Sequence, residues 1–260
     1  MTHAVLAAKT GWGKSWFCQV YTEANLQSVE YAVVLDYKDE YRGLAKSGFA
    51  RWMGVGDHEA TLDASAWTTA LEDNRKLILA RAGLRSETWQ EVAANVVRAA
   101  REIDGTALVV IDEAHFVAPQ RGGFPEEVEG LATTGRGEGV SSLWVTQRPA
   151  KLDETILAQM DRTVLGGFKS DADLDKISGY IEYPKEFHNA NTRRVSGPVP
   201  DDLRVDGEPL ALRRFTDDAD HTVGSEWIRS DDGDFERVDT RDKSMQSTHY
   251  GPEGHKLADP

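Results

Sequence analysis

The sequence predicts an α/β fold: a doubly wound, mostly parallel sheet with helices on both faces. Three observations predict it. Seven short apolar runs recur between positions 3 and 168: HAVLAA, YAVVLD, ARWMGV, RKLILA, TALVVID, SSLWVTQ and RTVLGGF. Their lengths suit buried strands. Between the fourth and fifth, Trp89, Val92, Ala93, Val96, Ala100 and Ile103 share one helical face behind a capping Ser86. A glycine-rich turn, AKTGWGKS, follows the first run directly. At 260 residues and 40% apolar content the chain can bury one sizeable core. The reading is one domain over residues 1–215 and an acidic tail over 216–260.

The first run predicts a strand whose carboxyl end opens through that turn into a helix, the place where backbone amides can cradle phosphate. AKTGWGKS has the Walker A spacing, except that Ala8 stands where the pattern has its first glycine. Ala8, Lys9, Thr10, Gly11, Trp12, Gly13, Lys14, Ser15 and Trp16 are therefore the expected nucleotide-binding set. Gly13 lets amides approach the phosphates, Lys14 reaches the β- and γ-phosphates, and Ser15 can ligate magnesium. An alanine at position 8 is tolerated unless that residue must take a positive φ. The scaffold is then of the P-loop NTPase type, RecA-like, with ATP and Mg2+ as the expected ligands.

The fifth run, ALVVIDEAH, ends in two carboxylates, as a Walker B strand requires. Asp112 is expected to hold magnesium, and Glu113 to orient and deprotonate the attacking water. His115 reads as a residue of the following helix start, not a base. The sixth run, SSLWVTQRP, ends in Gln147, placed to touch the γ-phosphate or the lytic water from a neighbouring strand. After residue 215 no sustained apolar period appears: positions 216–260 hold 12 acidic and 5 basic residues among many turn formers. That composition predicts a solvated or partner-ordered tail, with His249 and His255 in water.

Composition also limits function. With 30 basic and 44 acidic residues the net charge is -14, unusual for a protein that holds nucleic acid by neutralising phosphate. The lone Cys18 excludes an internal disulfide framework and a cysteine zinc cluster. No secretory pattern appears, and no window approaches the roughly 18 apolar residues of a membrane span. A soluble, intracellular chain is expected.

With these motifs in order, residues 5–168 resemble the FtsK/HerA superfamily of DNA-pumping ATPases, including the genome-packaging ATPases of membrane-containing viruses. LDYKDEY, Leu35 to Tyr41, is similar to an acidic element after the second strand of HerA-type proteins. TTGRGEGVSSLWVTQRPAKLDETILAQMDRTVLGGF is similar to their run of a glycine-arginine pair, a strand, TQRP, a helix and a further strand. The resemblance implies a homo-oligomeric ring, a hexamer, moving double-stranded DNA, with Arg136 matching an arginine that acts on the neighbouring subunit's nucleotide. Tyr37 departs from the family's usual proline, as Ala8 departs in the phosphate loop; neither removes a catalytic group.

The resemblance favours viral genome packaging, with capsid or vertex proteins as partners and a host-cytoplasmic or virion-associated location. A plasmid or cellular translocase for repair or conjugation is the alternative, and a nucleotide-binding structural switch without turnover is the alternative of another class. The phosphate loop begins so near Met1 that the reading is a minimal motor, lacking the barrel of HerA and the membrane anchor of FtsK. An arginine excess over lysine, 19 to 11, together with the acidity, suggests work in concentrated salt. For DNA contact the expectation falls on the loop PQRGGFP, through Arg121 and Phe124.

Overall fold

A computed structural model describes residues 1–231 and 233–250. Each of the seven apolar runs forms a strand: β1 (His3–Ala7), β2 (Tyr31–Asp36), β3 (Arg51–Val55), β4 (Lys76–Arg81), β5 (Ala107–Ile111), β6 (Val140–Thr146) and β7 (Arg162–Leu165). Three more follow, β8 (Arg214–Thr216), β9 (Thr222–Asp231) and β10 (Asp234–Asp239). They build one sheet in the order β10-β9-β7-β1-β6-β5-β2-β4-β3, with β8 also paired to β9. Pairings among β1 to β7 are parallel, whereas β9 meets β7, β8 and β10 antiparallel. The sheet is therefore mixed but mostly parallel, as the sequence predicts.

Among the described residues seven α-helices connect or cover it: α1 (Lys14–Asn25), α2 (Arg42–Lys46), α3 (Ala64–Asn74), α4 (Ser86–Glu102), α5 (Glu126–Thr133), α6 (Glu154–Ala158) and α7 (Asp171–Ser178). Side chains alternate along each strand, so the sheet feeds two cores. Val5 and Ala7 of β1 join one with Trp67 of α3 and Trp89 of α4; Ala4 and Leu6 join the other with Phe17 and Cys18 of α1 and Trp227 of β9. The face from Trp89 to Ala100 is buried as its spacing predicts. Ser86, however, is the first residue of α4 and not its cap. Arg85 holds the cap position, and the Ser86 hydroxyl lies 3.1 Å from the Tyr37 hydroxyl.

The tail expectation is overturned for residues 216–231 and 233–250. β9 enters the sheet beside β7, and its Trp227 and Ile228 are fully buried. Polar residues hid this strand: Glu226 is buried but satisfied by Arg213 and Arg237, each 2.6 Å away. Beyond β10 the chain crosses α1, where the Glu23 carboxylate accepts from the backbone amides of Gln246 and Ser247 at 2.6 and 2.9 Å. His249 is not in bulk water either. Its Nδ1 lies 2.9 Å from Gln19 Oε1, and burial lowers its pKa. His255 lies outside the described residues.

Candidate nucleotide-binding site

The phosphate loop leaves the carboxyl end of β1 and turns through two residues of positive φ, Gly11 at 75° and Gly13 at 85°. A Cβ is disfavoured there, which is why glycine occupies both. Ala8 does not have a positive φ and is fully buried, so its methyl meets no backbone strain. It has a partner instead. A methyl added at Gly166, beyond β7, would lie 2.8 Å from the Ala8 Cβ and 2.5 Å from the Trp12 ring. The side chain missing from Gly166 thus makes room for the one gained at position 8.

Trp12 anchors the loop from within. Its ring lies against Gly166 and Gly167, and its indole N–H donates to the Glu226 carbonyl at 3.1 Å. Thr222 of β9 donates to the Gly11 carbonyl at 2.8 Å. The supposed tail is therefore a support of the phosphate loop.

Lys14 opens α1 and is buried with its ammonium 3.6 Å from Asp112 and 3.7 Å from Glu113. Burial opposes its charge, but Asp112, Glu113 and Glu40 outweigh it and raise the pKa. Asp112 is wholly buried, and burial pushes its carboxyl up against the opposing pull of Lys14. At Glu113 burial also acts upward, yet Lys14 and a hydrogen bond from Lys38 hold the carboxyl below its ordinary value. His115 faces this group from the other side, Nδ1 at 3.4 Å from Glu113 Oε2 and 2.9 Å from Thr146 Oγ1. Burial pushes the imidazole down to about 4, so it is neutral at pH 7. Lys14 Nζ, both Asp112 oxygens and Glu113 Oε2 are buried without a hydrogen-bond partner. Such atoms are costly unless a polar ligand meets them.

Two further contributors were missed as site residues in the sequence. Lys38 donates directly to Glu113, and Glu40 accepts from the Ser15 hydroxyl. Asp36, at the end of β2, accepts from the amides of Glu40 and Tyr41 at 3.0 and 2.9 Å and so fixes this turn. The signal was present in LDYKDEY, which the sequence reading used only for resemblance. Ser15, Glu40 and Asp112 form an all-oxygen donor set suited to Mg2+. Among the described residues no group of three or more His, Cys, Asp or Glu could hold a metal by itself.

A cleft of about 720 Å³ surrounds the loop. Lys9 to Gly11 and Gly13 to Trp16 line it, with Lys38, Glu40 and Gln147; β9, His249 and Tyr250 form the opposite wall. Gln147 accepts from the Thr10 hydroxyl, so the predicted sensor does reach the phosphate loop. Arg136 does not. It is exposed and paired with Asp161, whose carboxylate also accepts from the His3 amide, at the start of β1. The five residues of β1 place it about 16 Å from the phosphate loop along the strand direction. Phe124 packs, partly buried, against the core and the Gln120 amide donates to the Lys151 carbonyl at 2.8 Å, so the ends of the loop expected to contact DNA are held while Arg121, Gly122 and Gly123 between them are exposed.

A strand, a glycine turn, a lysine-headed helix and a neighbouring strand ending in a carboxylate pair define a P-loop NTPase fold. No family model matches the chain, and no curated protein matches its sequence. Solved structures do match. The genome packaging NTPase B204 from Sulfolobus turreted icosahedral virus 2, in complex with ATP-gammaS, superposes with a TM-score of 0.57 at 14% identity over 91% of this chain and 95% of that one. The complex of B204 with sulfate gives 0.59 at 14% identity over 95% and 98%. VirB4 of Thermoanaerobacter pseudethanolicus gives 0.56 at 10% identity over 91% and 88%.

Proposed function

We propose that the chain hydrolyses ATP and couples hydrolysis to movement of double-stranded DNA through a homo-oligomeric ring, a hexamer, in viral genome packaging. The observation that carries the ATPase reading is the set of buried, unpartnered atoms on Lys14, Asp112 and Glu113 at the mouth of a phosphate loop. The DNA reading is supported by the likeness in fold to a genome packaging NTPase and by the motif order from Ala8 to Gln147. Capsid or vertex proteins are the further partners of this reading, and the host cytoplasm or the virion its location. No described helix is long and apolar enough to cross a membrane.

Each residue has a defined task in this scheme. Loop amides and Lys14 bind the β- and γ-phosphates, and Ser15, Asp112 and Glu40 would hold Mg2+. The metal, when bound, neutralises charge on the phosphate oxygens. Glu113 takes a proton from water as its oxygen bonds to the γ-phosphorus and the bond to the ADP oxygen breaks. Gln147 orients that water or the γ-phosphate, and Arg136 serves the neighbouring subunit. Val223, 58% exposed on the cleft wall, offers an apolar surface to the base beside His249 and Tyr250.

Substitution separates binding from chemistry. Lys14→Ala is expected to lose both ATP binding and turnover. Glu113→Gln is expected to bind ATP normally and hydrolyse it about 100-fold more slowly. Wild-type turnover in Glu113→Gln would remove that residue from the mechanism.

A further inference from the structure

The fold gathers cations that the sequence scatters. A second cleft, about 420 Å³, opens beside the phosphate loop. Lys9 and Trp12 form one wall; Lys169, beyond β7, Asn191 and Thr192 form others; Arg213 and Arg214 close it. Lys9 and Arg214 also line the larger cleft, so the two share a wall.

Positive charge is in surplus here. Arg213 holds Glu226 at 2.6 Å and Arg214 holds Asp220 at 2.7 Å. Lys9 donates only to the Thr10 carbonyl, at 3.3 Å, and stands 5.4 Å over the Trp12 ring. Lys169 is exposed and makes no ion pair among the described residues. Four cations thus meet two carboxylates in a chain whose net charge is -14. Burial, then the charges of Arg214 and Lys169, lower the pKa of Lys9, with Asp220 only partly offsetting them. An anion offsets those charges, and Asn191 and Thr192 add uncharged polar groups for its oxygens.

We propose that this cleft is an oxyanion site for a phosphate group, and that a phosphodiester of double-stranded DNA is the group it takes. Free orthophosphate is the other source of the same chemistry. The choice of DNA rests on the translocase reading above; the site itself does not. One feature favours the backbone: the cations are spread along an open cleft wider than one phosphate needs. Sharing Lys9 and Arg214 would let the nucleotide cleft sense whether DNA is engaged.

Lys169 and Asn191 line only the second cleft, so Lys169→Glu and Lys169→Glu/Asn191→Asp in the full chain test the site without touching the phosphate loop. Affinity for short duplex DNA is read by fluorescence anisotropy across a salt series, and orthophosphate binding by phosphorus NMR line width. Lys169→Glu is expected to weaken duplex binding about 10-fold and to reduce the slope of log affinity against log salt by about 1. Lys169→Arg should keep both, and ATP affinity should stay unchanged in all three variants. Unchanged duplex binding with lost orthophosphate binding would overturn DNA as the source and leave the phosphate site. Orthophosphate binding by a wild-type chain that binds no duplex would refute the translocase reading, not the site. If both ligands bind the variants as they bind wild type, or wild type binds neither, the proposal is wrong. None of these readouts needs turnover, so failure of ATP hydrolysis is seen separately.

Discussion

Glu113 has a left-handed backbone, φ 47° and ψ 47°, which costs a residue with a Cβ about 1 kcal/mol or more. Its neighbours maintain that conformation: Asp112 binds the Leu35 carbonyl through its amide at 3.0 Å, and Glu113 accepts from Phe116 at 2.8 Å. The result is a carboxylate turned toward Lys14, Lys38 and His115. Of these, Lys38 lies outside the phosphate loop and donates a hydrogen bond to Glu113. Burial raises the Glu113 pKa while Lys14 and Lys38 lower it, so removing Lys38 must move it upward. In the proposed mechanism Glu113 is a general base and works deprotonated, so the acid limb of the kcat profile should shift to higher pH in Lys38→Met and return in Lys38→Arg. An acid limb that stays in place in Lys38→Met would show that Lys38 does not tune Glu113.

At the scale of elements, the phosphate loop depends on a pair of glycines 150 residues away in sequence. Gly166 and Gly167 leave the chain just beyond β7 bare of side chains where the Trp12 ring lies. A methyl at Gly167 would stand 2.5 Å from the ring's six-membered part, closer than real contacts allow. Because Trp12 is 3% exposed and bonded to β9, it cannot swing away freely. Gly167→Ala is expected to cost about 1–3 kcal/mol in urea unfolding, the range for overpacking a core. It should also weaken ATP binding. Full ATP affinity in a destabilised Gly167→Ala protein would show that Trp12 supports the fold but not the loop. Deleting 216–260 would have a related effect, since it removes β9, β10 and one wall of the cleft.

For the whole molecule, charge and assembly matter most. A net charge of -14 imposes self-repulsion that counterions screen. Folding, and assembly of the proposed ring, are expected to improve from about 0.1 M toward molar potassium chloride, where the Debye length falls to roughly 3 Å. A melting temperature that is flat or falls over that range would contradict adaptation to salt. In the proposed ring Arg136, which stands at the opposite end of β1 from its own phosphate loop, would act on a neighbour's nucleotide. On that reading Lys14→Ala and Arg136→Ala rings should each be inactive, since one lacks the proposed phosphate ligand and the other a guanidinium that would contribute about 1000-fold or more in rate. In mixed rings, Arg136→Ala sites would face an intact arginine from a neighbour, and activity should reappear. Near wild-type turnover in pure Arg136→Ala would refute a role in the chemistry.

The sequence by itself determined the seven strands β1 to β7, the helix α4 and the phosphate loop, because each is encoded in a local pattern. A run of apolar residues buries itself whatever its neighbours are, and a positive φ asks for glycine wherever it occurs. The same locality made Lys14, Asp112 and Glu113 legible from spacing alone. What only the tertiary structure decided is pairwise and long-range. β9 was hidden because Glu226 counts as surface charge until Arg213 and Arg237 are known to neutralise it. Lys38 meets Glu113 across 75 positions, and Ala8 fits because Gly166 lies opposite. The surplus of cations beside Trp12 comes from three separate segments. Local pattern reports how each residue meets water; which charges and volumes meet one another is settled only when the sheet brings its strands together.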